Sequence, residues 1–363
     1  MNFRRMVLLA LLSFLLLGDC ARAQEDPEKC SQRGQVEFKY YLQGSYEANS
    51  NNPQSGRNDF RAFDMKANFL SFDLAQIVLS HEAQPSSFGF RLKLSGGEYA
   101  KLIHARSLGN PDESFDLTEA FVVYAFQGKK GPKMAAGKML TFVGAEVLEA
   151  VDDPNFSRSL LYTYAEPLTQ TGVRLGYDFS DKLSGTAYII NGWDNFADNN
   201  SAKTLGLCIG YNPSEKAGMC FNFLSGPERD NNEIDNRFLF DWVGTFKPAK
   251  NLTFLLNYDI GTEKNATTTG SDAKWEGYSI IGKYDFSDRF NLAIRGEDFH
   301  DYDGFRSGTP QTLRELTFSA TMKMGKHVYL RPEYRYDWSD AKAFNNGAAN
   351  NQSTVGLGLM LAW

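Results

Sequence analysis

Past its first 23 residues the chain holds no apolar run approaching the roughly 18 residues that a membrane helix requires. Histidine and cysteine are scarce, with four of each in 363 residues. His81, His104, His300 and His327 form no metal-ligand pair and no Ser–His constellation, so nucleophilic and metal-assisted catalysis lack their residues. No enzyme activity, no cofactor and no metal is expected. Asp194–Asn200 and Asp230–Glu233 offer calcium-type donors but lack the glycine and spacing of an EF-hand loop, and read as solvated loops. An excess of positive charge is absent too: Lys and Arg number 38 against 44 Asp and Glu. Removing Arg4, Arg5, Arg22 and Asp19 with residues 1–23 leaves 35 against 43, or −8. That balance argues against nucleic acid as a partner. With a mean hydropathy of −0.40, hydropathy alone would describe a soluble protein.

What is present corrects that description. Arg4 and Arg5, an apolar stretch from Val7 to Leu17, and Ala21-Arg22-Ala23 before Gln24 form a secretory signal peptide over residues 1–23, too short to span a bilayer. An uncleaved anchor fits this pattern less well, and so does a lipoprotein acylated at Cys20, where Asp19 stands in place of the small residue expected. Residues 24–34 read as a short periplasmic segment and 35–363 as the folded domain.

That domain alternates. Val36, Phe38, Tyr40 and Leu42 interleave with Gln35, Glu37, Lys39 and Tyr41, and Phe88, Phe90, Leu92 and Leu94 with Gly89, Arg91, Lys93 and Ser95. Phe238, Phe240 and Trp242 are followed, across a turn expected at Pro248, by Leu252, Phe254, Leu256, Tyr258 and Ile260. A period of two marks strands with two unlike faces. A soluble β-sandwich also alternates. Three features point instead to an outer-membrane barrel: strands of about nine to twelve residues, apolar faces ending in Tyr177, Tyr211, Tyr284 and Trp363, and connections that alternate short with long. The reading is an all-β, transmembrane, antiparallel up-and-down barrel of about 16 strands (14–18), with short periplasmic turns, long extracellular loops and both termini on the periplasmic side. Residues 62–82 switch phase, which reads as a bulge or a loop end.

The last residues, Val355, Leu357, Leu359, Leu361 and Trp363 alternating with small residues, resemble the C-terminal signal that such barrels present to their assembly machinery, with Leu359, Leu361 and Trp363 as its core. Further words in the middle of the chain are Ala136-Gly137-Lys138, Gly144, Glu146, Ser157-Arg158-Ser159, Thr171-Gly172-Val173-Arg174, Asn191-Gly192-Trp193-Asp194-Asn195 and Asp198-Asn199-Asn200. In these the chain resembles the β-barrel porin-2 (OmpL-like) family of bacterial outer-membrane proteins. The resemblance implies a porin in the outer membrane and transfers no functional residue.

If apolar faces meet lipid, the other parity lines the lumen: Arg91, Lys93, Arg174, Arg295, Glu297, Glu315, Lys323, Arg331, Glu333 and Arg335 are the pore-lining candidates. Both signs occur on neighbouring strands, so they read either as wall-stiffening ion pairs or as an electrostatic filter. The longest irregular stretch, 144–168, carries Glu146, Glu149, Asp152, Asp153, Arg158 and Glu166. It reads as a third outer loop that either folds into the lumen as a constriction or lies on the cell surface. Cys208 and Cys220 each lie six residues from Ser214, which places them opposite each other and fits a disulfide in an oxidising compartment; Cys30 is left over. The expected function is passive diffusion of small hydrophilic solutes or ions, with a weak cation preference from the net charge. The alternative is a non-conducting barrel acting as adhesin, receptor or structural protein. Expected partners are outer-membrane lipid and lipopolysaccharide, the barrel assembly machinery, small hydrophilic solutes and a second copy of the chain in a homo-oligomer.

Overall fold

A computed structural model describes residues 36–128 and 130–363. The signal peptide, segment 24–34, Cys20 and Cys30 lie outside the described residues. Sixteen strands follow in chain order: β1 (Glu37–Asn49), β2 (Leu70–His81), β3 (Ser87–Gly96), β4 (Phe115–Ala125), β5 (Lys133–Leu140), β6 (Thr169–Asp178), β7 (Leu183–Ile190) and β8 (Thr204–Ser214). The second half comprises β9 (Ala217–Pro227), β10 (Asn236–Ala249), β11 (Leu252–Glu263), β12 (Ala273–Ser287), β13 (Phe290–Asp301), β14 (Gln311–Met324), β15 (Val328–Ser339) and β16 (Asn351–Ala362). Each pairs antiparallel with its neighbours in sequence, and β16 returns to pair with β1, closing the barrel. The strand number and the up-and-down order are those the alternation predicts.

Connections at one end are short turns: 82–86, 126–132, 179–182, 215–216, 250–251, 288–289 and 325–327. At the other end are eight longer loops: L1 (50–69), L2 (97–114), L3 (141–168), L4 (191–203), L5 (228–235), L6 (264–272), L7 (302–310) and L8 (340–350). L2 contains the one-turn helix α1 (Glu98–Leu102). Pro248 does not turn the chain: it sits near the end of β10, where the register shifts between Phe246 and Ala249, and the turn follows at 250–251. A proline deletes a ladder donor and is accommodated by a bulge at a strand end without reversing direction. The phase switch in 62–82 has two causes. L1 runs to residue 69, and the β1–β2 register then slips between Gln43 and Gly44, passing over Asp73.

One parity of each strand faces outward and is apolar. Phe72, Ile77, Phe88, Val122, Leu205, Ile280, Phe318 and Val355 are all exposed. So wide an apolar band has no place in water and suits lipid. At the turn end the band finishes in rings: Tyr177, Tyr211, Tyr284 and Trp363 are each 40–44% exposed, as an interfacial aromatic girdle requires.

Trp363 also closes the seam. Its N–H donates to Tyr40 O (3.0 Å) and its carbonyl accepts from Tyr40 N–H (3.2 Å). The indole stacks on Tyr40 at 4.7 Å and on His327 at 4.8 Å. Trp363→Ala removes both stacks, and at about 0.5–1.5 kcal/mol for each aromatic pair should lower barrel stability by about 1–3 kcal/mol. Urea titration of the folded protein in micelles measures it; an unchanged midpoint would show that the seam does not need the ring.

Candidate functional site

L3 leaves β5 after Leu140 and rejoins the wall at Thr169, and its shape is set from within by Arg158. The planar guanidinium has five donors in a fixed fork. Nε reaches Val147 O, Nη1 Phe156 O and Nη2 Leu148 O, each at 2.7 Å. Asp153 lies 3.1 Å from Arg158 Nε and accepts from the Val147 N–H at 3.1 Å. One side chain thus ties the two limbs of the loop together, around a 3-10 turn at Ala150–Asp152.

So braced, L3 crosses the barrel interior and is bonded to inward side chains on widely separated strands. Gly144 N–H approaches Asp241 on β10 at 3.3 Å, and Ala145 N–H donates to Asn257 on β11 at 2.8 Å. Leu160 N–H donates to Glu297 on β13 at 2.6 Å. On β15, Glu333 accepts from the N–H groups of Phe156 (2.6 Å) and Ser157 (3.0 Å). Arg331 donates to Ala150 O (2.6 Å) and Asn155 O (2.8 Å), and Arg335 to Arg158 O (2.6 Å). Across the lumen, Lys93 on β3 pairs with Glu149 at 2.7 Å and with Glu119 at 3.2 Å, and Glu119 also takes Arg91 at 2.7 Å.

The densest part is centred on Arg295, which is fully buried. It contacts Glu315 (2.7 Å), Glu146 of L3 (2.8 Å) and the Ser157 carbonyl (2.7 Å). Arg335 lies 3.5 Å from Glu315 and 2.7 Å from Asp337, which also receives Arg61 of L1 at 2.7 Å. Buried charge is tolerated only when it is paired and hydrogen-bonded, and here each member is. Glu166 of L3 differs: burial, then the neighbouring Asp259 and Asp241, push its carboxyl well above the ordinary range. Asp152 forms no ion pair within the described residues. Two candidates stand apart from L3: Arg174 covers the Phe121 ring at 5.5 Å and Lys323 the Tyr329 ring at 5.3 Å.

Simple alternation misses the loop end of the barrel. There the inward residues Ile190, Leu224, Leu239, Trp275, Phe299 and Leu313 are apolar and buried, joined by Val143, Leu160 and Leu161 of L3, Trp193 of L4 and Phe344 of L8. A second cluster seats L3 against β1, β2 and β16 through Tyr41, Leu74 and Met360, with Phe63 of L1, Tyr99 and Ile103 of L2, and Leu148, Phe156 and Tyr162 of L3. The interior is therefore polar around Arg295 and apolar above it. Asp241 and Asn257 were also missed as L3 partners, although both sit on the inward parity, between Phe240 and Trp242 and between Leu256 and Tyr258.

The cysteine geometry needs correction. Cys208 pairs with Asn222 and Cys220 with Gly210, because the turn lies at 215–216 and is not centred on Ser214. The two are diagonal neighbours, not opposite ones, and their sulfurs lie 2.8 Å apart as free thiols. Among the described residues no group of three His, Cys, Asp or Glu is arranged to hold a metal ion.

Comparison with known proteins agrees with this architecture. A family model described as "putative beta-barrel porin-2, OmpL-like" matches residues 35–362. No curated protein sequence matches. Among solved structures, the outer membrane channel DcaP of Acinetobacter baumannii is 10% identical with a TM-score of 0.64, over 91% of this chain and 97% of that one. An anion-selective porin from Comamonas acidovorans is 9% identical with a TM-score of 0.65, over 91% and 100%. The trimer form of OmpT from Vibrio cholerae is 12% identical with a TM-score of 0.59, over 92% and 100%. At these identities the likeness is one of fold.

Proposed function

The chain belongs to the putative beta-barrel porin-2 (OmpL-like) family of outer-membrane barrels, and from that premise we propose that it is a passive channel for small hydrophilic solutes or ions, narrowed by L3. The observation that carries the reading is the fastening of L3 across the interior, to β3 on one side and to β10, β11, β13 and β15 on the other. A loop held at that depth sets the narrowest cross-section, and charges beside it set which ions pass. Arg91, Arg174 and Lys323 then line the passage, while Lys93, Arg295, Glu297, Glu315, Arg331, Glu333 and Arg335 hold the loop in place. Deleting Glu146–Asp153 should raise single-channel conductance in planar bilayers several-fold; unchanged conductance would sink the constriction.

A second reading is favoured by the apolar cluster of L3, L4 and L8 at the loop end: a barrel that conducts nothing and acts through its surface loops. Refolded protein that inserts in bilayers without opening channels selects it.

Other features fit the same setting. Residues 1–23 serve as a cleaved export signal, Leu359, Leu361 and Trp363 as the assembly signal, and the lipid-facing band meets outer-membrane lipid and lipopolysaccharide. A homo-oligomer is in keeping with the trimer form of one structural neighbour. Cys208 and Cys220 close into a disulfide on export. Protein from the oxidising compartment should then migrate differently with and without reductant and offer neither thiol to alkylation, whereas two alkylatable thiols would remove the bridge.

A further inference from the structure

Beneath the tip of L3, toward the turn end, the inner wall of β12 to β15 and the turns 250–251 and 288–289 line a cavity of about 590 Å³. Arg331 lines it while only 2% exposed. Its Nε donates to Thr321 Oγ1 at 2.9 Å and its Nη1 to the two L3 carbonyls. Its Nη2 has no hydrogen-bond partner among the described residues, and no carboxylate there lies within ion-pairing range. By contrast, Arg61, Arg91, Arg295 and Arg335 each contact a carboxylate.

Lys323 lines the same cavity with its ammonium over the Tyr329 ring, again with no ion-pair partner among the described residues. Lys250 and Arg289 line it too, likewise unpaired. Lys283 is occupied by Asp285 at 2.9 Å, and Asp153 by Arg158. That leaves four unpaired cations facing two unpaired carboxylates, Asp152 and Asp288, in a recess with low-dielectric walls. Such a recess focuses a positive field whatever the charge of the whole chain, so the weak cation preference suggested by the overall balance does not extend to this region.

We propose that this cavity is a binding station for small oxyanions, in which a carboxylate or phosphate group is held between the Arg331 guanidinium edge and the Lys323 ammonium. The pairing follows the match of guanidinium and oxyanion geometry, with the lysine as a second point charge. The station rests on the channel reading for how the solute arrives, but its occupancy is measurable without conduction.

The test uses the full mature chain folded in detergent, with inorganic phosphate and acetate as separate probes, followed by the line-broadening of the phosphorus and carbon resonances. Either or both anions should broaden with wild-type protein, and which one does so identifies the group the site takes. Lys323→Gln should weaken the effect roughly tenfold, the scale of one charge-assisted contact. Arg331→Lys, which keeps the charge and loses the fork, should weaken it as well. Lys247→Gln, which alters a cation outside this cavity, should leave it intact. Absence of broadening in the wild type, or equal broadening in wild type and Lys323→Gln, overturns the station. A protein that binds anions and opens no channels would keep the station and reject the channel.

Discussion

Replacing Arg295 by methionine is expected to lower the stability of the barrel by about 3–5 kcal/mol, the range found when one partner of a buried ion network is removed. The guanidinium is the shared contact of Glu315 on β14 and Glu146 on L3, and it also holds the Ser157 carbonyl. Methionine fills much of the volume and satisfies none of these groups. Glu315 retains Arg335 at 3.5 Å, so the damage should concentrate on Glu146 and with it on the loop. Denaturant unfolding of the variant should therefore show a lower midpoint, and limited proteolysis should cut within 144–168 where the wild type resists. Adding Glu146→Gln should restore part of the loss, because it removes the charge left without a partner. If the single variant unfolds at the wild-type midpoint, the network does not brace the barrel.

The second expectation concerns pH. Glu228 of L5 is buried, accepts from the Trp193 N–H (2.7 Å) and from Thr204 Oγ1 (2.6 Å), and burial pushes its carboxyl from 4.5 up to about 7. A carboxyl raised in the folded state binds its proton more tightly there than in the unfolded chain. Its contribution is thus complete below about pH 4.5 and is lost as pH rises through about 7. At 1.36 kcal/mol per unit the span corresponds to about 3 kcal/mol. The loss should appear locally, since Trp193 packs under Arg237 (4.6 Å) and Arg306 (5.2 Å) at the top of the apolar cluster. Hydrogen exchange of 191–203, corrected for the intrinsic rate, should show weaker protection at pH 8 than at pH 5. Glu228→Gln, whose amide oxygen can accept from the Trp193 N–H while its NH2 donates to the Thr204 hydroxyl, should flatten that difference. Equal protection at the two pH values in the wild type would exclude Glu228 as the cause.

The barrel was legible because its rule is local: a period of two and a turn every strand length suffice to place each side chain on one face. The inward parity of Arg91, Lys93, Arg295 and Arg331 follows from that rule alone. What they touch does not. Arg295 meets Glu146 across 149 positions of chain, and nothing near either residue announces the other. The apolar residues Leu239, Trp275 and Leu313 are inward because loops arrive to cover them, so alternation near the loop end is blurred for a tertiary reason. The errors at Pro248 and at Cys208 and Cys220 share one origin. In each case the turn lies later than its residues suggest, at 215–216 and at 250–251, and moving the centre of a turn by one residue moves every partner on the ladder by two.

The seam between β1 and β16 has a consequence in time. The first strand exported is paired on one side with the last, through Tyr40 and Trp363. Until residue 363 has crossed, β1 keeps a row of unanswered N–H and carbonyl groups, an open template for any other strand. Closure is therefore an event that the whole chain must wait for. A product cut short anywhere upstream is left with two free edges, and its fate depends on what guards β1 in the interval.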